Sequence, residues 1–522
     1  MMVKLLSVPV LAAIILGVAG VLAVLAEVEE VTLQRPPPPD LQEIEVVYID
    51  NRPPTVTFKA AASPPAPAPW QPSEPAVDLL ALLATGRSFG ACDVHATRIS
   101  SRVTLHFRRP QTAVCGYILA YPGAGHALDV LSYTTLHLYG ETSGPVTLSL
   151  VDTAAQHRDD NVPLTRVTGR FAQRLPLAPM AQRLDLRQLT ALVVLPEMSD
   201  TTVVLEVVGL ERHVGQNRTT PRLGFWVWQY RQALADPETI LEACQRHGGR
   251  RLLLQMPAAT EPAELWRDYA QFLTRAQHRG IEAFALDGEP DAIDAPLALV
   301  HKVQRLLGLM AGQPLTGVQL DVEPYLREDF FLDPTGFERY LALIEQVRAV
   351  TVGQTRLSIV MPFWFTSQTV RGRPVAFAVM DRVDEVAVMS YRTDMGELQA
   401  IAKDTLRYGD MAGVPVWLAL ETRALPTERH VIFKREVRRD LADAYLDATG
   451  QRLVLSSPPA TADLSWFRVH HRVTVRPERL TFAHQTQQHV RAAVATLIHA
   501  VEHRSLAGVL VHDLDGFMAL TE

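Results

Sequence analysis

Strand-like and helix-like segments alternate from Leu223 to the end of the chain. The strand-like segments are short runs of branched apolar residues, and the segments between them repeat apolar residues every three or four positions. Eight strands joined by helical crossovers predict a closed (β/α)8 TIM barrel over residues 221–522. An open doubly wound sheet is the alternative, but no glycine-rich phosphate loop follows the first strand. The predicted strands are 223–228, 251–256, 281–287, 316–323, 357–363, 385–391, 416–421 and 508–513.

The connection after the seventh predicted strand is unusually long. Residues 424–483 separate that strand from its helix, whereas such connections usually have about 2–6 residues. We expect this insertion, with a small β-ribbon of its own, to border the mouth of the barrel. Few residues follow the eighth strand, so we expect no eighth helix. The segment 211–222 and the preceding domain are then expected to pack over strands eight and one.

An all-β domain is predicted over residues 78–215. Short alternating runs separated by polar or glycine-rich breaks are typical of an antiparallel sandwich or jelly roll. The stretches 128–140, 145–152 and 184–195 resemble the galactose-binding-like jelly rolls that serve as carbohydrate-binding modules. That resemblance implies carbohydrate binding. A purely structural sandwich is the alternative, because this architecture hosts many functions.

The first 30 residues predict a transmembrane helix. The run from Leu5 to Ala26 is apolar apart from Ser7, and about 20 such residues span a bilayer. A cleaved secretory signal ending near Ala26 is the alternative. Both alternatives export the rest of the chain, and the anchor predicts a single-pass protein of the bacterial inner membrane, with its soluble domains in the periplasm or outside the cell. Residues 31–77, dense in proline, predict an extended linker.

Composition excludes some partners. The 522 residues have a net charge of −7, which gives no electrostatic footprint for nucleic acid. Of the three cysteines, Cys92 and Cys115 lie in the predicted β-domain and either pair in an oxidising compartment or stay unpaired. Cys244 lies on the apolar stripe of a predicted helix, as a buried small residue does.

Two carboxylates stand at the end of the fourth predicted barrel strand. With a period of two, Gly317, Gln319, Asp321 and Glu323 face the barrel axis. Barrel enzymes place their reacting groups at this end of the strands. Like charges held close raise one another's pKa, which keeps a general acid protonated near neutral pH. A structural network in which an arginine pairs with these acids is the alternative.

Other strand ends carry polar and aromatic side chains that fit a sugar-cleaving cleft. Carboxylates supply proton transfer and charge stabilisation, and flat apolar faces hold pyranose rings. No compact cluster of metal ligands is evident in the sequence, and no cofactor is expected. The polar candidates are Glu421, Tyr391, Asp287, His512 and Asp513, and the aromatic candidates are Trp226, Trp228 and Trp364.

The fourth strand resembles the signature of family-18 chitinases, Asp-Gly-x-Asp-x-Asp-x-Glu. Asp321 and Glu323 match its last two acids, while Thr316 and Gln319 replace the first two. The stretch 389–391, Met-Ser-Tyr, resembles that family's Met-x-Tyr-Asp, with arginine in place of the aspartate. The resemblance implies that Glu323 is the general acid, that Asp321 orients a substrate N-acetyl group, and that Tyr391 supports the intermediate.

The same residues also resemble the retaining-glycosidase clan that carries glutamates on strands four and seven. Glu323 and Pro324 match the end of an Asn-Glu-Pro motif, with Val322 in place of the asparagine. That resemblance implies that Glu323 is the acid/base, Glu421 the nucleophile and Tyr391 its support.

The sequence thus predicts a membrane-anchored, exported glycoside hydrolase acting on a polysaccharide, with Glu323 as general acid/base. The alternative is a non-catalytic polysaccharide-binding protein, part of an envelope or exopolysaccharide assembly, on a glycosidase-like barrel.

Overall fold

The structure, a computed structural model, contains a nine-stranded antiparallel sheet, called the sandwich below, a closed eight-stranded barrel, a seven-stranded sheet and a two-stranded hairpin. None of the helices in the described part of the chain is long and apolar enough to cross a membrane. The predicted membrane anchor lies outside the described residues, apart from Glu30. The described residues are 30–33, 43–49, 54–59, 76–99, 102–108, 114–122, 126–154, 161–211, 222–313, 315–327, 330–447, 452–456 and 464–522.

Three strands lie within or at the edge of the range predicted as a proline-rich linker. They are β1 (Glu30–Thr32), β2 (Glu43–Ile49) and β3 (Thr55–Lys59). The alternating β2 sequence buries Ile44 and Val46, and its neighbour buries Val56. This part of the predicted linker is therefore folded sheet. The density of prolines favoured the prediction of an extended spacer, and the alternating runs between them were too short to predict strands.

The next part of the chain is all-β and antiparallel, as predicted, and its strands form one nine-stranded sheet. Strand β9 is the longest: its first half pairs with β12, its second half with β11, and β10 pairs with it along both halves. Cys92 and Cys115 form a disulfide with their Cα atoms 5.8 Å apart. The elements are β4 (Ala76–Asp78), α1 (Leu79–Leu82), β5 (Thr85–Gly90), β6 (Asp93–Ile99), β7 (Arg102–Arg108), β8 (Cys115–Ala120), β9 (Thr135–Asp152), β10 (Val162–Pro176), β11 (Leu189–Pro196) and β12 (Asp200–Glu211).

Eight parallel strands then close into a barrel, which confirms the predicted fold of this region. The strands of this region are β13 (Arg222–Val227), β14 (Gly249–Gln255), β15 (Glu282–Asp287), β16 (Gly317–Leu320), β17 (Arg356–Pro362), β18 (Thr369–Val370), β19 (Arg373–Pro374), β20 (Glu385–Met389), β21 (Val416–Glu421), β22 (Glu428–Glu436), β23 (Ala444–Leu446), β24 (Arg452–Val454), β25 (Trp466–Val475) and β26 (Leu506–His512). The barrel order is β13-β14-β15-β16-β17-β20-β21-β26, and β18 and β19 form a short hairpin.

Helices surround the barrel, and one of them was not expected. The helix that follows β26 buries Leu514 and Phe517, and the ring of Phe517 lies 5.5 Å from that of Phe225 on β13. The prediction that no eighth helix follows the last strand is therefore wrong, because a six-residue helix is enough to cover strands eight and one. The helices are α2 (Tyr230–Ala235), α3 (Pro237–Arg246), α4 (Ala263–His278), α5 (Pro296–Leu309), α6 (Gly336–Thr351), α7 (Val375–Met380), α8 (Met395–Ala412), α9 (Gln487–Ala500) and α10 (Leu514–Ala519).

The insertion and the amino-terminal strands form one sheet, in the order β1-β24-β23-β25-β22-β2-β3, with an apolar core of its own. On the other face of this sheet, buried His430 lies between Glu45, at 2.8 Å, and Glu428, at 3.1 Å. The insertion returns to the barrel beside its point of departure, since the amide of Phe482 donates to the carbonyl of Glu421. Both of its ends therefore lie at the carboxyl end of the barrel.

The sandwich docks on the barrel through buried ion pairs. Both terminal nitrogens of Arg407, on α8, donate to the carboxylate of Asp129 at 2.6 Å. Arg187 of the sandwich lies 3.2 Å from Asp404, also on α8. The apolar cores of the two domains are continuous. The prediction that the sandwich covers strands eight and one is wrong, because the complementary charges lie on α8 and α10 already covers those strands.

A paired ionic network closes the amino end of the barrel. Arg251 is fully buried and lies between the carboxylates of Glu282 and Glu385. Its guanidinium carbon also stands 4.2 Å from the ring centroid of Phe284 and 3.9 Å from that of Trp417. This arginine network therefore involves acids of the third and sixth barrel strands, and not Asp321 or Glu323.

Candidate active site

Asp321 and Glu323 follow directly on β16, at the carboxyl end of the barrel. On this strand, the side chain of Gln319 accepts a hydrogen bond from Trp226 at 2.7 Å and donates one to Ser358 at 2.9 Å. Because β13, which carries Trp226, is not a neighbour of β16 in the barrel, this contact crosses the interior and Gln319 faces the axis. The alternation of the strand then places both carboxylates towards the same axis.

Glu323 is shielded from water, with 7% of its surface exposed. The hydroxyl of Tyr325 donates a hydrogen bond to its Oε1. Burial and the nearby Asp321 raise the pKa of Glu323 to about 8, although the bond from Tyr325 and the charge of His512 act in the opposite direction. Glu323 is therefore protonated at neutral pH, which is the state that a general acid requires.

Asp321 is the second member of the pair and differs from Glu323 in protonation. Burial raises the pKa of Asp321 to about 6, and His512 opposes the rise. Its Oδ1 is buried without a hydrogen-bond partner in the described part of the chain. At neutral pH the site thus holds one protonated and one ionised carboxyl group, and a buried acceptor oxygen that a bound N–H or O–H donor can satisfy.

A glycine allows the backbone of Asp321 to lie where it does. The amide of Asp321 donates to the carbonyl oxygen of Asp287 at 2.8 Å, across neighbouring strands. A Cβ atom added to Gly288 would lie 2.1 Å from the carbonyl oxygen of Asp321. Any larger residue at position 288 would push the end of the fourth strand away.

Glu421 and His512 form a hydrogen-bonded pair beside these acids. Glu421 accepts from the backbone amides of Thr422, at 2.8 Å, and Arg423, at 2.7 Å, through Oε1. Its Oε2 lies 2.7 Å from Nδ1 of His512. The indole N–H of Trp228 meets the other ring nitrogen of His512 at 2.8 Å. Both oxygens of Glu421 are therefore engaged within the protein.

Two of the predicted substrate-binding acids have partners inside the protein. Asp513 caps α10 through the amide of Gly516, at 2.8 Å, and forms two hydrogen bonds with Arg423, at 2.9 and 2.6 Å. Asp287 lies 2.6 Å from the ammonium group of Lys302. Burial raises the pKa of Asp287, and Lys302 opposes the rise. Both carboxylates are therefore paired with a cationic side chain of the protein.

The three predicted tryptophans differ in exposure. Trp226 is 1% exposed and lies inside the barrel, bonded to Gln319. Trp364 is buried, its ring 5.0 Å from Tyr325 and 4.9 Å from Phe365. The prediction that these two present faces to a sugar is wrong, because both rings are buried. Trp228 is partly exposed, so its ring can contact a bound sugar.

Tyr391 lies at the end of β20, with its ring centroid 6.1 Å from that of His512. Burial and the charges of Glu421 and Asp321 raise the pKa of Tyr391 well above its ordinary value, so its hydroxyl stays protonated. The next residue, Arg392, donates to the Tyr391 carbonyl at 2.7 Å and stands over the ring of Phe363. Arg392 therefore contacts Tyr391 and Phe363, and the site lacks the aspartate that the chitinase motif has at this position.

Two tyrosines that lie near Asp321 and Glu323 were not predicted from the sequence. Tyr325 follows Glu323 by two residues, and that period-two spacing was a usable signal. Tyr340 comes from α6, and its buried hydroxyl has no partner among the residues that the structure describes. Burial and the charges of Asp321 and Glu323 raise the pKa of Tyr340 above its ordinary value. Its place on a helix gave no sequence signal.

Across the described ranges, no group of three or more His, Cys, Asp or Glu side chains could hold a metal ion.

Comparison with known proteins gives structural neighbours only. No family model matches the chain, and no curated protein matches it. The spore cortex-lytic enzyme SleL of Bacillus megaterium is 10% identical at a TM-score of 0.33, covering 60% of this chain and 74% of the enzyme. A class V chitinase of Nicotiana tobaccum is 12% identical at 0.32, covering 57% and 94%. The CBM22-1–GH10 modules of a Clostridium thermocellum xylanase, complexed with xylohexaose, are 8% identical at 0.27, covering 67% and 81%. These neighbours are glycoside hydrolases, but at such TM-scores the likeness says nothing of this chain's activity.

Proposed function

We propose that the chain is a glycoside hydrolase acting on a polysaccharide, with Glu323 as the general acid. One observation supports this most strongly. Glu323 is buried and Asp321 half-buried at the carboxyl end of a barrel, and the pKa of Glu323 is raised to about 8 while that of Asp321 is raised only to about 6. Environments that separate two carboxyl pKa values in this way define an acid and its ionised partner.

The acceptor oxygen of Asp321 favours a substrate that carries an N-acetyl group. A buried carboxylate oxygen without a partner is costly, and an amide N–H of the substrate would satisfy it. The acetyl oxygen would then be directed at the anomeric carbon while Glu323 protonates the leaving oxygen. Tyr391, whose hydroxyl keeps its proton, would stabilise the resulting intermediate. These roles match those that the chitinase resemblance implies.

The surroundings of Glu421 favour this route over a covalent glycosyl-enzyme. Its Oε1 accepts two backbone amides and its Oε2 contacts His512. A nucleophile would have to give up part of this arrangement to attack. We therefore assign Glu421 to the support of His512.

The location of the protein and the role of its sandwich are parts of the same proposal. The apolar run from Leu5 to Ala26 supports an anchor in the bacterial inner membrane, with the other domains in the periplasm or outside the cell. The Cys92–Cys115 disulfide is in keeping with an oxidising compartment. The sandwich would bind the polysaccharide beside the barrel.

A polysaccharide-binding protein without hydrolysis is the second candidate. The observation that favours it is Gln319, which stands where the chitinase signature has an acid and whose amide is bonded to Trp226 and Ser358. Such a protein would bind the same polymers but release no sugar.

A screen of the full chain against polysaccharides, with and without N-acetyl groups, separates these candidates. Release of reducing ends from an N-acetylated polymer, and much less from its deacetylated form, is the expected result. Glu323→Gln is the control and should bind without cleaving. Binding without release by the unaltered chain would favour the second candidate, and neither binding nor release would reject both.

A further inference from the structure

His512 makes a contact that only one of its protonation states allows. An indole nitrogen can donate a hydrogen bond but cannot accept one. The 2.8 Å contact between Nε1 of Trp228 and Nε2 of His512 therefore requires an unprotonated Nε2. The ring proton then lies on Nδ1 and is donated to Glu421. In this arrangement the imidazole is neutral.

The charges around His512 favour the protonated, positively charged imidazole. Glu421 faces it from β21, and Asp321 and Glu323 face it from the end of β16. Asp513 follows it in the chain but is paired with Arg423, and Tyr391 and Trp226 are uncharged neighbours. The carboxylates of Glu421 and Asp321 thus attract a second proton to the imidazole.

The pKa of His512 agrees with this balance of charges. Burial acts to lower the pKa of His512, but Glu421, Asp513 and Asp321 outweigh it and raise the value to about 9. The contact with Trp228 indicates a neutral ring, whereas this pKa indicates a charged one at neutral pH. The contact requires the neutral imidazole in this structure, because two N–H groups cannot face each other at 2.8 Å.

We propose that His512 is a positioning residue that couples Trp228 to the acid pair. While Trp228 donates to Nε2, the imidazole stays neutral. When a sugar ring draws the indole away, Nε2 takes a proton from solvent at the mouth of the barrel. The imidazolium, still held by Glu421, then keeps Asp321 ionised beside the protonated Glu323. The effect on Asp321 rests on the proposed function, whereas the contact between His512 and Trp228 does not.

The fluorescence of Trp228 tests this coupling without any substrate. A protonated histidine beside an indole quenches its emission, and the contribution of Trp228 is the difference between the unaltered chain and Trp228→Phe. We expect one transition in that difference on titration between pH 5 and 9, with a midpoint below pH 7, because the contact with Trp228 keeps the imidazole neutral above that pH. Glu421→Gln should move the midpoint down by about 1 pH unit or more, since an anion beside the ring is lost. His512→Gln should abolish the transition.

His430→Gln is the matched control. His430 is also buried between two carboxylates, which outweigh its burial and raise its pKa to about 9, but it lies on the separate sheet. This variant should leave the transition unchanged. A transition that survives in His512→Gln, or a midpoint that Glu421→Gln does not move, would overturn the coupling. A chain that shows the transition but hydrolyses nothing would contradict the proposed function and leave the contact between His512 and Trp228 established.

Discussion

A buried carboxyl group reduces the stability of the folded chain once it loses its proton, and Glu323 is such a group. Its pKa is about 8 in the folded chain, against 4.5 in the unfolded chain. Between these values the folded state binds the extra proton, so the free energy of unfolding falls as the pH rises from 4.5 to 8. The same burial that provides a general acid therefore reduces stability progressively from pH 4.5 to about 8.

Glu323→Gln should therefore stabilise the protein at alkaline pH. The neutral amide removes the ionisation, and we expect a gain on the order of 3 kcal/mol at pH 8.5 that disappears below pH 4.5. Chemical denaturation at several pH values measures it. Glu282→Gln is the control with the opposite sign. Burial acts to raise the pKa of Glu282, but Arg251 and Arg222 hold it below its ordinary value, so this variant should lose stability at pH 8.5.

Some features of the site could be predicted from the sequence, and others could not. The inward face of Asp321 and Glu323 follows from a period of two, which the sequence contains. The burial of Trp226 and Trp364 does not, because it depends on Gln319 and on aromatic side chains brought from other strands and loops. The partners of Asp287 and Asp513 could not be predicted for the same reason, since Lys302 and Arg423 are distant in sequence.

At the scale of elements, the site depends on how closely β15 and β16 approach at their carboxyl ends. Gly288 follows β15 and leaves no room for a side chain next to Asp321. The barrel strands could be predicted because each is a short apolar run between helices. The strands β1 to β3 and the helix α10 could not, because each is short and its apolar residues find partners only in the folded chain.

Gly288→Ala should displace Asp321 and impair hydrolysis. The added methyl group would meet backbone rather than a flexible side chain, so we expect a loss of about 1–3 kcal/mol of stability and a lower hydrolysis rate. Gly308→Ala, within α5 and with nothing within 4 Å of the added Cβ, is the control and should be neutral or slightly stabilising. Equal stability and activity in both variants would show that the close approach at Gly288 is unimportant.

At the scale of the molecule, one continuous apolar core and the ion pair between Arg407 and Asp129 join sandwich and barrel. The two domains should unfold together. The side of the barrel that the sandwich occupies could not be predicted, because no local pattern reports which helix surface carries the complementary charges.

Arg407→Met tests this joint. Removing one partner leaves Asp129 buried and unpaired, so we expect a loss of about 3–5 kcal/mol and a less cooperative denaturation curve. Arg438→Met breaks the exposed pair with Asp440 and should leave the stability nearly unchanged, because water screens the two charges. Equal effects of the two substitutions would mean that the sandwich and the barrel are only loosely associated.

The hydrolysis rate of Glu323→Gln, relative to that of the unaltered chain on an N-acetylated polysaccharide, tests the central claim most directly. Removing a general acid is expected to lower the rate by about 10²–10⁴ while the protein stays folded and binds the polymer. The rate of the unaltered chain should also fall as the pH rises through about 8, where Glu323 loses its proton. An unchanged rate in Glu323→Gln, with folding intact, would contradict the assignment of Glu323 as the acid.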